Sequence, residues 1–291
     1  MARFGYFVRS LAAQFSSARF ACLNCGTGGA AVVDRKYGVT QLRRCRACAL
    51  LFRTPTDDPV GNASFYENDY AQGFTTSLPD DAALAAMMDR GFAGGEKDYA
   101  YYIGVLARLG VGPGRAVFDF GCSWGYGSYQ LARAGYEVTA YEVAPSRRRY
   151  ARDKLAVRVV DDMVGGTEAL AGAFDCFFAA HVIEHVPSPA RAFDHAMRLL
   201  KPGGLFVSFT PNGSAGHRAA SPAWSKLWGE VHPNFIDDVF LDYSFRSSPR
   251  VVGSSPVREA SLPSVPGLVR LDDLAGGELF FAARKVDDAW A

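Results

Sequence analysis

The sequence predicts an α/β protein with a doubly wound, mostly parallel sheet and a small zinc ribbon near its N-terminus. From residue 115 onward, short apolar segments rich in β-branched and aromatic residues alternate with amphipathic segments, the pattern of parallel strands joined by helices. Acidic and histidine residues recur directly after these apolar segments, where open parallel sheets bind their ligands. Two Cys-x-x-Cys pairs precede this region and predict a metal-binding module.

The composition is that of a globular protein without a strong electrostatic field. Of 291 residues, 49% are hydrophobic and 21% are charged, and the net charge is only +1, which argues against attraction to nucleic acid or an anionic membrane. No apolar run reaches the roughly 20 residues that span a bilayer, and the N-terminus lacks the apolar core of a secretory signal. We therefore predict a cytoplasmic protein.

Residues 1–20 form an N-terminal segment of their own. Phe4, Phe7, Leu11 and Phe15 recur at helical spacing, which favours a helix packed on its own protein. A peripheral membrane anchor stays open as the alternative.

Four cysteines predict a zinc ribbon over residues 21–55. Cys22 and Cys25 form one Cys-x-x-Cys pair, and Cys45 and Cys48 form the second after a short predicted hairpin. Each pair lets two thiolates converge on one ion, and two pairs complete a tetrahedral site with no open position. The zinc is therefore expected to be structural. A redox dithiol is the alternative, but it needs one pair beside a βαβ unit.

Residues 56–110 are predicted to be a linker followed by helices. The linker is rich in Pro, Asp, Asn and Gly, and helical patterns follow between residues 80 and 109.

The main domain is predicted over residues 111–291, with an inserted segment at about 211–270. Its first strand covers residues 116–120, and a glycine-rich turn and a helix follow. The next strands are predicted at the following segments: 137–142, 157–162, 173–180 and 205–210. Residues 244–267 are weakly patterned and fit either a lid or a connection to the last strands.

The stretch "FDFGCSWGYG" at residues 118–127 predicts a ligand that is not a dinucleotide. Ser123 stands where the dinucleotide pattern G-x-G-x-x-G requires glycine. Asp119 would repel a phosphate but suits a ligand with a positive amino group. Glu142 follows the second strand and can accept hydrogen bonds from two ribose hydroxyls, and Asp161 or Asp162 at the next strand end can accept from an exocyclic amine of a base. These residues indicate a ligand with a ribose and a base but no pyrophosphate.

Residues 116–212 resemble a class I S-adenosyl-L-methionine-dependent methyltransferase. "VFDFGCSWGYG" is similar to the first motif of that family, with Ser123 in place of the middle glycine. "FDCFFAAHVIEHVPSPARAFDHAMRLLKPGGLFVSFTPN" is similar to its segment after the fourth strand, and "GGELFFAARK" to its last strand. The ribbon with "CALLFRTPTDDP" and "FYENDY" resembles the bacterial members that act on sugars and cell-surface polysaccharides.

The resemblance implies a seven-stranded Rossmann-like sheet and a set of residues that bind S-adenosylmethionine. The set that the resemblance implies is Asp119, Gly121, Gly125, Glu142, Asp162 and the backbone near His181. Ser123 in the turn and Asp161 beside Asp162 are added as cofactor-binding candidates because of their positions. A dinucleotide-binding dehydrogenase domain is the alternative. The missing glycine at position 123 argues against it.

The inserted segment "WSKLWGEVHPNF" is the candidate acceptor pocket. Trp224 and Trp228 offer stacking faces, and Glu230 with His232 can form an acid–base pair if the segment is extended. Tyr66, Tyr70 and Tyr99 are further candidates for lining the pocket.

The other histidines carry weaker signals. His185 in "HVIEHV" is the third catalytic candidate, together with the adjacent Glu184. The pattern H-x-x-E-H is also that of inverted zinc peptidases, but a strand precedes it here and prolines follow it, so no long helix carries it. His195 is expected on the surface of a helix or in packing, and His217 in a loop.

The function expected from these features is methyl transfer from S-adenosylmethionine to a small molecule, foremost a nucleotide-linked sugar or saccharide of carbohydrate biosynthesis, with His232 assisting deprotonation. The alternatives are an RNA base methyltransferase that holds its substrate with the ribbon, and a cofactor-binding scaffold without turnover. The sequence leaves the methylated atom and the oligomeric state open.

Overall fold

The computed structural model describes residues 2–57, 77–163, 165–257, 262, 268–286 and 290. The helices in these residues are α1 (Ala2–Ala13), α2 (Asp81–Asp89), α3 (Ala100–Arg108), α4 (Tyr126–Arg133), α5 (Pro145–Leu155), α6 (Pro189–Leu199), α7 (Ala215–Ala220) and α8 (Asp238–Ser244). The strands are β1 (Ala30–Lys36), β2 (Thr40–Cys45), β3 (Leu51–Thr54), β4 (Ala116–Phe120), β5 (Glu137–Tyr141), β6 (Val159–Val160), β7 (Phe174–Ala180), β8 (Leu200–Pro211), β9 (Asn234–Phe235), β10 (Arg250–Ser254), β11 (Leu268–Arg270) and β12 (Glu278–Arg284).

Eight strands form the main sheet, in the order β11-β10-β12-β8-β7-β4-β5-β6. The strands from β6 to β8 pair in parallel, whereas β12 runs antiparallel to both of its neighbours. The predicted mostly parallel sheet is confirmed. The resemblance implied seven strands, and the additional one is β11, which pairs in parallel with β10 at the edge of the sheet.

Successive residues of the central strands supply the two apolar layers of the domain. Phe118 and Phe177 belong to one buried cluster, into which α6 inserts Phe193. Phe178 belongs to a second cluster, on which α3 packs Leu106. Because neighbouring side chains on a strand point to opposite faces, the near-continuous apolar runs of these strands require helices on both sides. This packing is the doubly wound arrangement that the sequence predicts.

Three local structures differ from the sequence-based expectation. Strand β8 begins at Leu200 and includes the Pro-Gly-Gly turn, because residues 201–204 bulge out of the pairing between β7 and β8. The predicted strand over 157–162 is reduced to the two residues of β6. His217 lies in the short helix α7 and is buried, rather than in a loop.

The N-terminal segment is helical, as expected, but its apolar face is only partly covered. Phe7, Val8 and Leu11 of α1 keep exposed fractions of 38, 47 and 47%. None of the helices in the described part of the chain is long and apolar enough to cross a bilayer.

A second sheet joins the cysteine-bearing segment to the inserted segment of the main domain. Its strand order is β1-β2-β3-β9, and β9 comes from residues 234–235, far along the chain from the other three. Leu51 is paired with Phe235, and the N–H of Arg53 donates to the carbonyl of Pro233 at 2.7 Å. The predicted ribbon over 21–55 therefore shares its sheet with the predicted insertion over 211–270.

Trp228 is the largest side chain at this junction, and it faces the ribbon. It is 2% exposed and packs in one cluster with Leu42, Leu51 and Phe235. Its Nε1–H donates to the carboxylate of Asp34 at 3.1 Å. The expected role of Trp228 as a stacking face for an acceptor is therefore not supported, because the ring is already covered.

Truncation of Trp228 tests how far the ribbon supports the inserted segment. We expect Trp228→Ala to lower the free energy of unfolding by about 3–5 kcal/mol, since it leaves a cavity in a closed cluster. Limited proteolysis should cut residues 224–235 faster than in the wild type. Val239→Ala, at a side chain that is 49% exposed, is the control and should stay within about 0.5 kcal/mol of the wild type. Equal stability of the two variants would contradict the assignment.

Candidate active site

The glycine-rich turn lies between the end of β4 and the start of α4, and its backbone requires small residues. Gly121, Ser123 and Gly125 have φ angles of +86°, +53° and +89°, the left-handed region that favours glycine. A Cβ at Gly125 would lie 2.8 Å from the Cβ of Ala151, and one at Gly121 would lie 2.4 Å from a methyl group of Val182. The turn therefore packs closely on both α5 and the segment after β7.

Ser123 keeps the left-handed backbone of the glycine that it replaces, and it gains polar contacts. Its hydroxyl accepts a hydrogen bond from Arg147 Nη1 at 2.9 Å, and its N–H donates to Glu142 Oε2 at 3.0 Å. The departure from the family motif is therefore accommodated by the fold, at the cost of one strained backbone position.

Asp119 and Glu142 are two buried carboxylates at the carboxyl ends of neighbouring strands. Asp119 is 2% exposed, and burial raises its pKa to about 6, although a hydrogen bond from the Ser128 hydroxyl opposes the shift. Burial also raises the pKa of Glu142, whose Oε1 accepts from the N–H of Ala144 at 2.9 Å. Buried anions at this edge suit a ligand with an ammonium group and ribose hydroxyls.

Asp161 and Asp162 lie at the end of β6, and both are exposed. Asp161 forms an ion pair with Arg152 at 2.7 Å, and Asp162 Oδ2 accepts from the N–H of Gly165 at 2.9 Å. Their expected role toward the base of the cofactor stays a prediction.

His181 follows β7 directly and bridges two carboxylates. Its φ is +56°, and its Nε2 lies 2.7 Å from Glu278 Oε1, while its Nδ1 lies 3.6 Å from Glu184 Oε1. Burial opposes a charge on the ring, but the contacts with Glu184 and Glu278 outweigh it and raise the pKa of His181 to about 10. Tyr102 also donates its hydroxyl to Glu278 at 2.9 Å. At neutral pH His181 is therefore a cation and not a proton acceptor.

Glu184, His185 and His232 converge beside His181. One carboxylate oxygen and one ring nitrogen of each histidine lie within 4.8 Å of one another, and the two imidazole rings meet edge to face with centroids 4.7 Å apart. Glu184 is 1% exposed, and its Oε2 accepts from the hydroxyl of Thr210 at 2.9 Å. The sequence proposed both histidines as catalytic, and the structure brings them together.

The two histidines of this cluster carry their proton on the same ring nitrogen. Nδ1 of His185 lies 2.8 Å from the carbonyl of Val231, and Nδ1 of His232 lies 2.8 Å from the carbonyl of Leu227. Because a carbonyl can only accept, each Nδ1 is the donor, and Nε2 of each neutral ring is an acceptor. Burial lowers the pKa of His185, while burial of Glu184 is outweighed by the histidines, which lower its pKa to about 2.

The expected pairing of Glu230 with His232 required an extended segment, and the structure has a turn there instead. The N–H of Gly229 donates to the carbonyl of His232 at 3.0 Å, which closes residues 229–232 into a loop. The carboxylate whose oxygen approaches the His232 ring nitrogen is that of Glu184. Glu230 as an acid–base partner stays a prediction without this geometric basis.

The four cysteines form a cluster that fits a tetrahedral metal ion. Their Sγ atoms lie within 4.8 Å of one another, with 3.7 Å between Cys22 and Cys48 and 3.5 Å between Cys25 and Cys45. Zn–S bonds of about 2.3 Å in a tetrahedron place sulfur atoms about 3.8 Å apart. Gly26 and Ala49, the residues after each pair, have φ angles of +76° and +63°, so the backbone turns sharply under the cluster.

The remaining candidates lie away from the two clusters or outside the described residues. His195 contacts Arg198 on α6, with 3.2 Å between the nitrogens. Tyr99 is buried against Gly127 and packs the core. Tyr66 and Tyr70 fall in the part of the chain that the structure does not describe.

Sequence reasoning missed Glu278 and Tyr102. Glu278 is the first residue of β12, and the start of an antiparallel strand lies at the same edge of the sheet as the ends of the parallel strands. The acidic residue before the last strand was the available signal, but only the antiparallel pairing gives it a place in the site.

A comparison with protein families matches residues 118–208 to the methyltransferase domain family. Among curated proteins, the chain is 41% identical over 111 residues to a ubiquinone biosynthesis O-methyltransferase of Xanthomonas campestris pv. campestris (strain B100), covering 36% of this chain and 46% of that protein. It is 37% identical over 105 residues to the Xylella fastidiosa (strain 9a5c) protein of the same name, covering 33 and 42%. The match thus spans about half the length of these relatives.

Among solved structures, geranyl diphosphate C-methyltransferase from Streptomyces coelicolor A3(2), in complex with Mg²⁺, geranyl diphosphate and S-adenosyl-L-homocysteine, aligns with a TM-score of 0.53. The alignment covers 79% of this chain and all of that chain at 16% identity. This likeness concerns the fold alone.

The first prediction for the cofactor turn compares Ser123→Gly with Gly125→Ala. Glycine at position 123 removes the backbone strain but loses the bond from Arg147, so the affinity for S-adenosylmethionine should stay within about threefold, since both effects are near 1 kcal/mol. Alanine at position 125 places a Cβ against Ala151 and should weaken binding strongly. Calorimetric titration measures both. Loss of binding in Ser123→Gly would show that the hydroxyl is required.

The second prediction is that Asp119→Asn stabilises the fold but weakens the binding of S-adenosylmethionine. Since the folded pKa is raised from 3.8 to about 6, the ionised carboxylate destabilises the fold increasingly between pH 4 and 6. The amide should therefore be more stable above pH 6 by up to about 3 kcal/mol, and the gain should vanish near pH 4. It should bind S-adenosylmethionine about 10–100-fold more weakly through loss of a charged hydrogen bond.

Asp175→Asn is the matched control for this measurement. Burial raises the pKa of Asp175, but the contacts with Lys201, the N–H of Ala116 and Arg115 together outweigh it and lower that pKa, so its amide should not stabilise the protein above pH 6. A pH-independent effect of Asp119→Asn, seen in chemical unfolding at pH 4, 6 and 8, would contradict the assignment.

Proposed function

We propose that this chain, whose residues 118–208 form an S-adenosylmethionine-dependent methyltransferase domain, transfers a methyl group to a hydroxyl oxygen of a small-molecule acceptor. The cluster of Glu184, His185 and His232 activates that hydroxyl. The observation that carries the proposal is that both histidines donate Nδ1–H to backbone carbonyls, which leaves Nε2 of each ring as the acceptor, and that each ring has a nitrogen within 4.8 Å of a carboxylate oxygen of Glu184 at the carboxyl edge of the sheet.

The cofactor, when bound, supplies an electrophilic methyl group on a sulfonium. The residues proposed to hold it are Asp119, Glu142 and the turn from Gly121 to Gly125, with Asp161 or Asp162 and the backbone of His181 as further contacts. The left-handed turn and the two buried carboxylates fit an ammonium group and a ribose.

The cluster has to accept one proton from the acceptor hydroxyl. An acceptor hydroxyl that donates to Nε2 of His232 or His185 can pass its proton to that nitrogen as the oxygen attacks the methyl group. The buried Glu184 carboxylate stabilises the resulting imidazolium. His181, already charged between Glu184 and Glu278, instead holds the segment after β7 against the start of β12.

The acceptor class follows from the relatives and from the ribbon. The curated relatives are named for O-methylation in ubiquinone biosynthesis, which favours oxygen as the methylated atom and a hydroxylated ring such as a phenol as the acceptor. A saccharide is the second candidate, because the cysteine cluster resembles the zinc module of sugar methyltransferases and its sheet includes β9 of the acceptor segment.

The four cysteines are proposed to hold a structural zinc ion. With four thiolates there is no open coordination position, so the ion would stabilise the ribbon and, through β3 and β9, the turn that carries His232. The net charge of +1 gives little support to the RNA alternative.

The test is turnover with labelled S-adenosylmethionine against phenols and catechols, nucleotide sugars and structured RNA. We expect methylation of one hydroxylated small molecule. His232→Asn keeps a donor to the Leu227 carbonyl but removes the acceptor nitrogen, and it should lower the rate at least about 100-fold while cofactor binding is retained. His195→Asn is the matched control and should keep the wild-type rate.

Three results would contradict the proposal. A wild-type rate in both His232→Asn and His185→Asn would remove the cluster from the reaction. Tight, salt-sensitive binding of RNA in fluorescence anisotropy would favour the RNA alternative. Binding of S-adenosylmethionine that Glu142→Ala abolishes, with no acceptor methylated by the wild type, would favour a scaffold.

A further inference from the structure

A second group of possible metal ligands lies in the main domain, apart from the four cysteines. Among the described residues, two such groups have ligand atoms within 4.8 Å of one another: the cysteines, and Glu184 with His185 and His232. The second group joins residues from the segment after β7 to a residue from the acceptor segment. Glu184 is buried and the two histidines are half-buried.

Three electron-pair donors meet at this point. Both Nδ1 atoms donate to backbone carbonyls at 2.8 Å, so the lone pair of each neutral ring is at Nε2, and each ring has a nitrogen within 4.8 Å of the other ligand atoms. The third donor is Glu184 Oε1, a buried oxygen that accepts no hydrogen bond from the described residues and lies 3.8 Å from His185 Nε2 and 3.6 Å from His181 Nδ1. A proton can bridge only two of these atoms, whereas a metal ion can bind all three.

The surroundings of the three atoms are those that metal-binding histidines require. A histidine ligand is fixed in its tautomer and orientation by donating its other nitrogen to a carbonyl or a carboxylate, and the carbonyls of Val231 and Leu227 do this here. The ligating carboxylate is fixed in the same way, because Thr210 donates to its other oxygen at 2.9 Å. The neighbouring cation His181 is paired with Glu278 at 2.7 Å, which balances its charge.

We propose that Glu184, His185 and His232 bind a divalent transition-metal ion such as Zn²⁺, Mn²⁺, Fe²⁺ or Co²⁺. Two imidazoles and one carboxylate are a ligand set for these ions rather than for Ca²⁺ or Mg²⁺. Bonds of about 2.0–2.1 Å place ligand atoms about 3–3.4 Å apart, so small side-chain rotations close the site. Three protein ligands leave at least one coordination position open.

The open position gives the ion a role that rests on the proposed function. An acceptor hydroxyl bound there would lose its proton to solvent more easily, because the ion lowers the pKa of the bound oxygen. The ion would then take over the activation that the histidines otherwise provide by accepting the proton. An acceptor with two adjacent oxygens, such as a catechol or a vicinal diol, would bind best.

The experiment counts metal ions in the full-length chain by elemental analysis after incubation with Zn²⁺, Mn²⁺ or Co²⁺ and removal of unbound ions. We expect two equivalents per chain in the wild type with Zn²⁺ or Co²⁺. His232→Asn and His185→Asn should keep the equivalent that the cysteines bind. Both variants should bind the second ion at least about tenfold more weakly than the wild type, so that it is lost when unbound ions are removed. His195→Asn should retain both.

Cobalt distinguishes the two sites in the same samples. Thiolate ligands give Co²⁺ an intense sulfur charge-transfer absorption, which Cys45→Ser should weaken and His232→Asn should leave unchanged. The proposal is overturned if the only equivalent that the wild type binds, with every ion tried, is one that Cys45→Ser removes and that both histidine variants retain. It is also overturned if the histidine variants, shown to be folded by their thermal unfolding, bind the second equivalent as tightly as the wild type.

Failure of this proposal is distinguishable from failure of the proposed function. If the protein with only its cysteine-bound ion methylates its acceptor at the full rate, the role proposed for the second ion is wrong and the histidine-assisted reaction stands. If the second ion binds but no acceptor is methylated, the metal site stands and the proposed function is wrong.

Discussion

The parallel pairing of β7 between β4 and β8 is the constraint on which the candidate site depends. It ends three strands at one edge of the sheet, so that the segment after β7 lies between the glycine-rich turn and the end of β8. The N–H of His181 donates to the carbonyl of Phe209 at 2.7 Å, and Glu184 accepts from Thr210. The segment is thereby held against β8, and its histidines and carboxylate are placed before any ligand binds.

The second sheet extends this site to a distant part of the chain. Because β9 pairs with β3, the turn that carries His232 is held by the ribbon on one side and by Glu184 on the other. The hydrogen bond from the N–H of Asn234 to the carbonyl of Glu184, at 3.2 Å, joins the two supports directly. The segment with the four cysteines, whose sulfur atoms have the spacing of a tetrahedral site, therefore shares one sheet with the segment that carries His232.

Much of the framework was predictable because it depends on local patterns. The bounds of β4 agree with the prediction, and Glu142 follows β5 as predicted. Both could be predicted because an apolar run that ends in turn residues indicates a strand without any tertiary information. The strand β9 and the partner Glu278 were not predictable. The two residues of β9 are too few to show the alternating pattern of a strand. Glu278, at the start of the antiparallel strand β12, reaches the site only because of the strands that pair with β12.

The sequence by itself determined the fold class, the four cysteines as one group and the acidic residues at the strand ends, since each depends on spacing within a short stretch. Only the tertiary structure decided which side chains meet. It placed Trp228 at the interface with the ribbon, brought Glu184 beside His232, and put the His181 ring between Glu184 and Glu278. The physical reason is that contacts between residues as far apart in the chain as His181 and Glu278, or Asp34 and Trp228, arise from strand order and packing, and these leave no repeating pattern in the sequence.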